Sequence, residues 1–134
     1  MPETPLPDAL RDLLAKANPA VMASLGKDGQ PVSVATWYLF EEGRILVNLD
    51  EGRKRLEHLR RDPRVSVTVL DEATWYTHVS IQGRVTEILD DPDCADIDRI
   101  SVHYGGSPYP NHTRKRVSVW IEIDRWHGWN TPKS

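Results

Sequence analysis

Between Ala20 and Leu49 the chain holds three runs of strand-forming residues separated by little except turn chemistry. Ala20 to Leu25 leads through Gly26-Lys27-Asp28-Gly29 into Pro31 to Phe40, and Glu41-Glu42-Gly43 leads into Arg44 to Leu49. Connections this short leave no room for the crossover that parallel neighbours need, so the runs read as antiparallel hairpins in a β-meander. Arg64 to Leu70 and Thr74 to Leu89 add two strands, the second long enough to need the bend that Gly83 permits. Arg116 to Ile123 alternates, with Val117, Val119, Ile121 and Ile123 on one face.

Helices are inserted between these strands. In the N-terminal segment, residues 1–18, Asp8 is placed to cap a short helix with Leu10, Leu13, Leu14 and Ala17 on one stripe, ended by Asn18-Pro19. A second helix runs from Arg53 to Arg61 and stops at Asp62-Pro63. A third is expected to start at Asp91-Pro92, where proline suits the first helical position, and to end at Gly105-Gly106. Six strands with flanking helices in 134 residues predict one domain over 1–134. Its fold class is mainly β with α: a six-stranded antiparallel barrel.

Composition narrows the function classes. A formal net charge of −3 lacks the basic footprint of a nucleic-acid binder. No apolar run approaches the roughly 20 residues that span a membrane, and Met1-Pro2-Glu3-Thr4-Pro5 does not resemble a secretory signal. The single Cys94 rules out an internal disulfide and fits a cytoplasmic location. The five histidines show no HxxxH or HExxH spacing, so no metal site is expected. Ser24 and Ser33 have no His/Asp pattern beside them, so nucleophilic catalysis has no support.

Two features carry chemical content. The Pro31–Phe40 run is apolar on both faces: Val32, Val34, Thr36, Tyr38 and Phe40 on one, Ala35, Trp37 and Leu39 on the other. An antiparallel strand with one wet face alternates apolar with polar. One face can therefore line the core while the other meets a partner chain or a planar ligand; alternatively the strand is sandwiched within the monomer. The second feature is Asn48-Leu49-Asp50-Glu51-Gly52-Arg53-Lys54-Arg55. Here a helix opens with three cations, each opposing the helix dipole by roughly 0.3–1 kcal/mol. A docked anion, typically phosphate, makes that arrangement favourable, and arginine adds a fork that fits two of its oxygens. The alternative is that Asp50 and Glu51 neutralise the cluster while Arg53, Glu57 and Arg61 pair along a solvated face.

At these residues the chain resembles the pyridoxamine-phosphate-oxidase-like split β-barrel superfamily, and within it the branch that uses the deazaflavin coenzyme F-420. The likeness spans Ala20 to Trp129. Its markers are Val21-Met22-Ala23-Ser24-Leu25, Asp28-Gly29-Gln30-Pro31, Gly52-Arg53-Lys54-Arg55, Leu59 to Ser66, Val79 to Val85, and Tyr104-Gly105-Gly106.

The resemblance implies a homodimer with the cofactor at the subunit interface. Its phosphate would meet an Arg-x-Lys pair, matched here by Arg53 and Arg55, with Lys54 between them. The ring would rest on the second strand, its polar edge on backbone groups of Val34, Ala35 and Thr36 with Trp37 nearby. Asn48 and Leu49 would meet the ribityl chain or phosphate, and Trp75, Tyr76 and His78 lie where a partner subunit would close the pocket. The implied activity is hydride transfer between F-420 and a small electron-poor organic substrate, with F-420 favoured over FMN on the resemblance alone. An FMN-dependent oxidoreductase of the same fold, and a non-catalytic flavin-, deazaflavin- or haem-binding protein, are the alternatives. Tyr76, His78 and His103 are candidate proton donors that the sequence does not rank. Pyridoxamine phosphate oxidation itself is not expected, because Arg125-Trp126-His127-Gly128-Trp129 only faintly matches that enzyme's C-terminal motif.

Overall fold

The chain forms one antiparallel sheet of seven strands, not six, in a computed structural model that describes residues 5–132. The elements are α1 (Asp8–Leu14), β1 (Ala20–Leu25), β2 (Pro31–Thr36), β3 (Leu39–Glu41), β4 (Arg44–Asp50), α2 (Lys54–Arg61), β5 (Arg64–Leu70), β6 (His78–Asp90), α3 (Ala95–Gly105) and β7 (Arg116–Trp129). No helix among the described residues is long and apolar enough to cross a membrane.

The extra strand comes from a break in the run read as continuous. β2 ends at Thr36, and β3 begins at Leu39 on the opposite edge of the sheet, whose order is β2-β1-β5-β6-β7-β4-β3. Only Trp37 and Tyr38 join the two edges, and two residues span roughly 10 Å at most. The sheet therefore curls until its edges nearly meet, yet no ladder closes them. The meander reading is thereby corrected: β1–β2 and β3–β4 are hairpins, but β2 and β4 are not neighbours. The two-faced expectation for this strand changes as well. Neither face of β2 is fully buried in the chain, whereas Tyr38 is completely buried and its hydroxyl donates to the Leu14 carbonyl at 2.7 Å. That anchor beneath α1 pulls the backbone off one edge and onto the other.

Inside the curl, Met22, Val47, Val67, Ile81, Val119 and Ile121 form one core, and Leu10, Leu14, Leu56 and Leu59 from α1 and α2 pack onto it. Helix α1 begins after Pro7, so Asp8 stands in its first turn and complements the dipole there without capping it. Helix α3 starts at Ala95, later than Asp91, because Cys94 adopts a left-handed conformation. Asp91 still caps it from a distance, its carboxylate accepting the backbone N–H groups of Asp96 and Ile97 at 3.1 Å. Strand β7 runs past Ile123 to Trp129 and pairs with β6 over most of its length.

Strand β4 positions the site because both of its faces are covered. Ile45, Val47 and Leu49 face the main core. Leu46 packs on the other side with Leu39 and Ile100, beneath α3. Side chains alternate along a strand, so Asn48 and Asp50 share the face of Leu46, the face turned toward α3.

A candidate anion and ring site

Polar residues on that outer face meet across the β4–β7 ladder. Asn48 pairs with Ser118 and Asp50 with Arg116 in the register, the short cross-strand distance at which side chains interact directly. Asn48 donates to Ser118 Oγ and to Asp91 Oδ2, both at 3.1 Å, and its Oδ1 accepts from Arg116 Nε at 2.8 Å. Arg116, only 6% exposed, also binds the Asp50 carboxylate through Nη1, and its guanidinium lies 4.9 Å from the centre of the Tyr109 ring. Sequence reasoning missed Arg116, Asp50's central place and Tyr109. The only sequence-level sign was a polar Arg116-x-Ser118 alternation opening an otherwise apolar strand.

Directly after β4, Gly52 turns the chain into α2 with φ +93°, a conformation that suits glycine. Arg53 is the N-cap of α2, and no side chain caps the first turn. Its guanidinium lies 3.2 Å from Asp50 Oδ2, and Arg114 reaches the same oxygen at 3.4 Å. Asp50 thus neutralises part of the cluster. Glu51 does not, because it pairs with Arg60 at 2.8 Å, and Glu57 pairs with Lys54 at 3.5 Å. Lys54 points into solvent.

Arg55 is different. Its Nη1 is buried and has no hydrogen-bond partner. A charged donor left buried and unpaired costs more than the 1–3 kcal/mol typical of a neutral group. Burial first, and then the like charge of Arg53, pushes its pKa below the usual guanidinium value.

These groups border a cavity of about 280 Å³ whose charged lining is Arg53, Arg55, Arg116 and Asp50. Asn48, Leu49, Ala35, Thr36 and Trp37 line it too, with Ile97, Ile100 and Tyr109 from α3 and its following loop. The Asn48 amide is already committed to its neighbours, and Leu49 has its side chain in the core. A second cavity, about 470 Å³, shares Ala35, Thr36 and Trp37 and continues toward Pro19, Ala20 and Tyr104. Trp37, 42% exposed, stacks on Tyr104 with ring centres 5.1 Å apart and planes 10° from parallel. Together the cavities make a groove with a cationic end and a flat, apolar end, crossing the unpaired edge of β2. The expected residues Val34, Trp75, Tyr76 and His78 do not line either cavity within the single chain. Trp75 and Tyr76 are exposed on the turn before β6, 70% and 54% respectively.

Similar architecture recurs among solved structures. An F420 reductase matches with a TM-score of 0.82 at 21% identity, covering 91% of this chain and 98% of that one. A conserved hypothetical protein from Mycobacterium tuberculosis matches at 0.74 and 28% identity, covering 95% and 86%. General Stress Protein 26 from Bacillus anthracis matches at 0.70 and 16% identity, covering 93% and 94%. No curated protein matches by sequence. The sequence pattern of pyridoxamine 5'-phosphate oxidase, however, matches residues 6–130, which takes in every strand and helix described above. The chain therefore belongs to the pyridoxamine 5'-phosphate oxidase family.

Proposed function

We propose that this protein is an oxidoreductase that holds a phosphorylated flavin-type cofactor in the groove, with coenzyme F-420 favoured over FMN, and transfers hydride to or from a small electron-poor organic substrate. The observation that carries the reading is Arg55 Nη1: a buried guanidinium nitrogen without a partner, on the wall of a cavity that also presents Arg53 and the first turn of α2. A phosphate oxygen there would satisfy a donor that the chain itself leaves unpaired. Toward the other end, β2 pairs only with β1, so the outer side of Val34, Ala35 and Thr36 offers backbone groups to the polar edge of a ring. Trp37, fixed against Tyr104, gives that ring an aromatic neighbour. The F420 reductase of like fold supports the choice of deazaflavin.

The bound cofactor supplies the hydride chemistry; the chain supplies position, charge and exclusion of water. Within that division of labour Arg53 and Arg55 bind, Asn48 and Arg116 hold the cradle in shape, and Lys54 contributes an exposed nearby charge. A second copy of the chain lies against β2 in this reading and brings Trp75, Tyr76 and His78 over the ring.

Fluorescence titration with F-420, FMN and riboflavin tests it. Arg53→Ala and Arg55→Ala should each weaken the phosphorylated ligands by roughly 1.5–3 kcal/mol per charge-assisted bond lost. Riboflavin, which lacks the phosphate, should be unaffected. Unchanged affinity in the double variant would remove the phosphate from this cradle. Turnover is tested separately, by oxidising the reduced cofactor with enones and quinones. Tight binding without acceptor-dependent oxidation would make the protein a carrier.

A further inference from the structure

Asp50 is an unusual member of an anion cradle, because it brings a negative charge to the wall that the anion must approach. Its side chain is only 10% exposed, and it is the common partner of Arg53, Arg114 and Arg116. We infer that Asp50 is a specificity-determining residue: a resident carboxylate that penalises each negative charge on the incoming phosphate. It thereby shifts preference from a dianionic phosphomonoester toward a monoanionic phosphodiester. The inference rests on the cofactor reading above and deepens it.

Geometry carries the argument. An oxygen bonded to Arg53 Nη2 at about 2.8 Å lies within about 6 Å of Asp50 Oδ2, which is 3.2 Å from that same nitrogen. That range is shorter than the Debye length of roughly 8–10 Å at ordinary salt, so dissolved ions screen the carboxylate from the ligand only in part. Asp50 also has no easy retreat. Arg116 stands directly opposite in the β4–β7 register, is 6% exposed, and is itself fixed by Asn48 through Nε at 2.8 Å. When a phosphate takes Arg53, Asp50 stays on Arg116, facing the ligand. The arginines favour every added ligand charge, and Asp50 opposes each one. Two charges meet that opposition twice.

Three flavins with one ring and one ribityl chain separate charge from shape: riboflavin, the monomethyl ester of FMN, and FMN. Above the second phosphate pKa of about 6 they carry charges of about 0, −1 and −2. The full-length protein and Asp50→Asn are titrated with each by fluorescence. The expected result is unchanged riboflavin binding, the ester tighter by on the order of tenfold, and FMN tighter by on the order of a hundredfold. An equal factor for all three ligands, or an unchanged FMN-to-ester ratio, overturns the selector. Asn at 50 leaves the buried Arg116 without a counterion and can cost folding, so Asp50→Glu serves as the second variant. It keeps the charge but carries it one methylene further into the cavity, and should weaken FMN more than the ester; equal losses overturn the inference. Failure of both the unaltered protein and Asp50→Asn to bind FMN or its ester more tightly than riboflavin overturns the phosphate site itself. Phosphate-dependent binding with one and the same Asp50→Asn factor for all three ligands leaves that site standing without its selector.

Discussion

Tyr104 illustrates how one side chain ties the site to the stability of the fold. Its hydroxyl donates to the Asn18 carbonyl at 2.6 Å and accepts the Tyr38 N–H at 3.3 Å, while its ring carries Trp37. It therefore pins the crossover between the two sheet edges beside the cavity that it lines with Trp37. Burial raises the Tyr104 pKa from 10.0 to about 12, and the buried Tyr38 hydroxyl is raised as well. In the unfolded chain both titrate near 10. Between about pH 10 and pH 12 the unfolded state thus holds fewer protons than the folded one, and stability falls as pH rises through that window. Urea midpoints measured at pH 8, 10 and 11 should decline across the last two. Tyr104→Phe should shallow the decline and lower stability at pH 8 by about 0.5–1.5 kcal/mol for each of the two hydrogen bonds lost. An undiminished slope would assign the titration to other groups.

At the scale of elements, the cradle depends on the pairing of β7. This strand lies between β6 and β4, and two irregularities in the β6 ladder, at Gln82/Gly83 and Val85/Glu87, set its register. Gly83 leaves no room for a side chain: a Cβ there would lie 2.3 Å from the Glu122 carbonyl oxygen and 3.1 Å from Ile121 Cγ2. Gly83→Ala forces the ladder apart, and overpacking of this kind costs roughly 1–3 kcal/mol. Because one residue of slip turns every side chain to the other face, it should also carry Arg116 away from Asp50. Loss of phosphate-dependent flavin affinity is therefore expected alongside the lower urea midpoint. Full affinity with reduced stability would show that the strain stays local to β6.

For the molecule as a whole, the unfinished feature is β2. It is an edge strand, exposed on most of its residues, with Val34 37% accessible and Trp37, just beyond its end, 42%. Unpaired strand edges with apolar side chains are templates for association, and the expected homodimer would use this one. Val34→Glu would set two like charges against each other across a two-fold interface. Light scattering should then give the mass of one chain where the unaltered protein gives twice that, with a parallel loss of cofactor binding. A dimer that survives the substitution places its interface elsewhere on the sheet.

Much of this was legible in the residues themselves, because it is local. Turn chemistry specified the β1–β2 and β3–β4 hairpins, Asp62-Pro63 ended α2, and Gly106 with φ +82° closed α3. The unfavourable run Arg53-Lys54-Arg55 at a helix start is also written along the chain, and Arg53 and Arg55 line the cavity beside β4. The break at Trp37-Tyr38 was hidden, since neither residue is a breaker and both suit a strand; a hydrogen bond from Tyr38 to α1, 24 residues away, decides it. The partners of Asn48 and Asp50 were hidden for the same reason. Arg116 stands 66 residues beyond Asp50, and only the antiparallel register brings them opposite each other. Local propensity and charge spacing are written along the chain, whereas contacts between distant residues exist only once the sheet has curled and fixed its register.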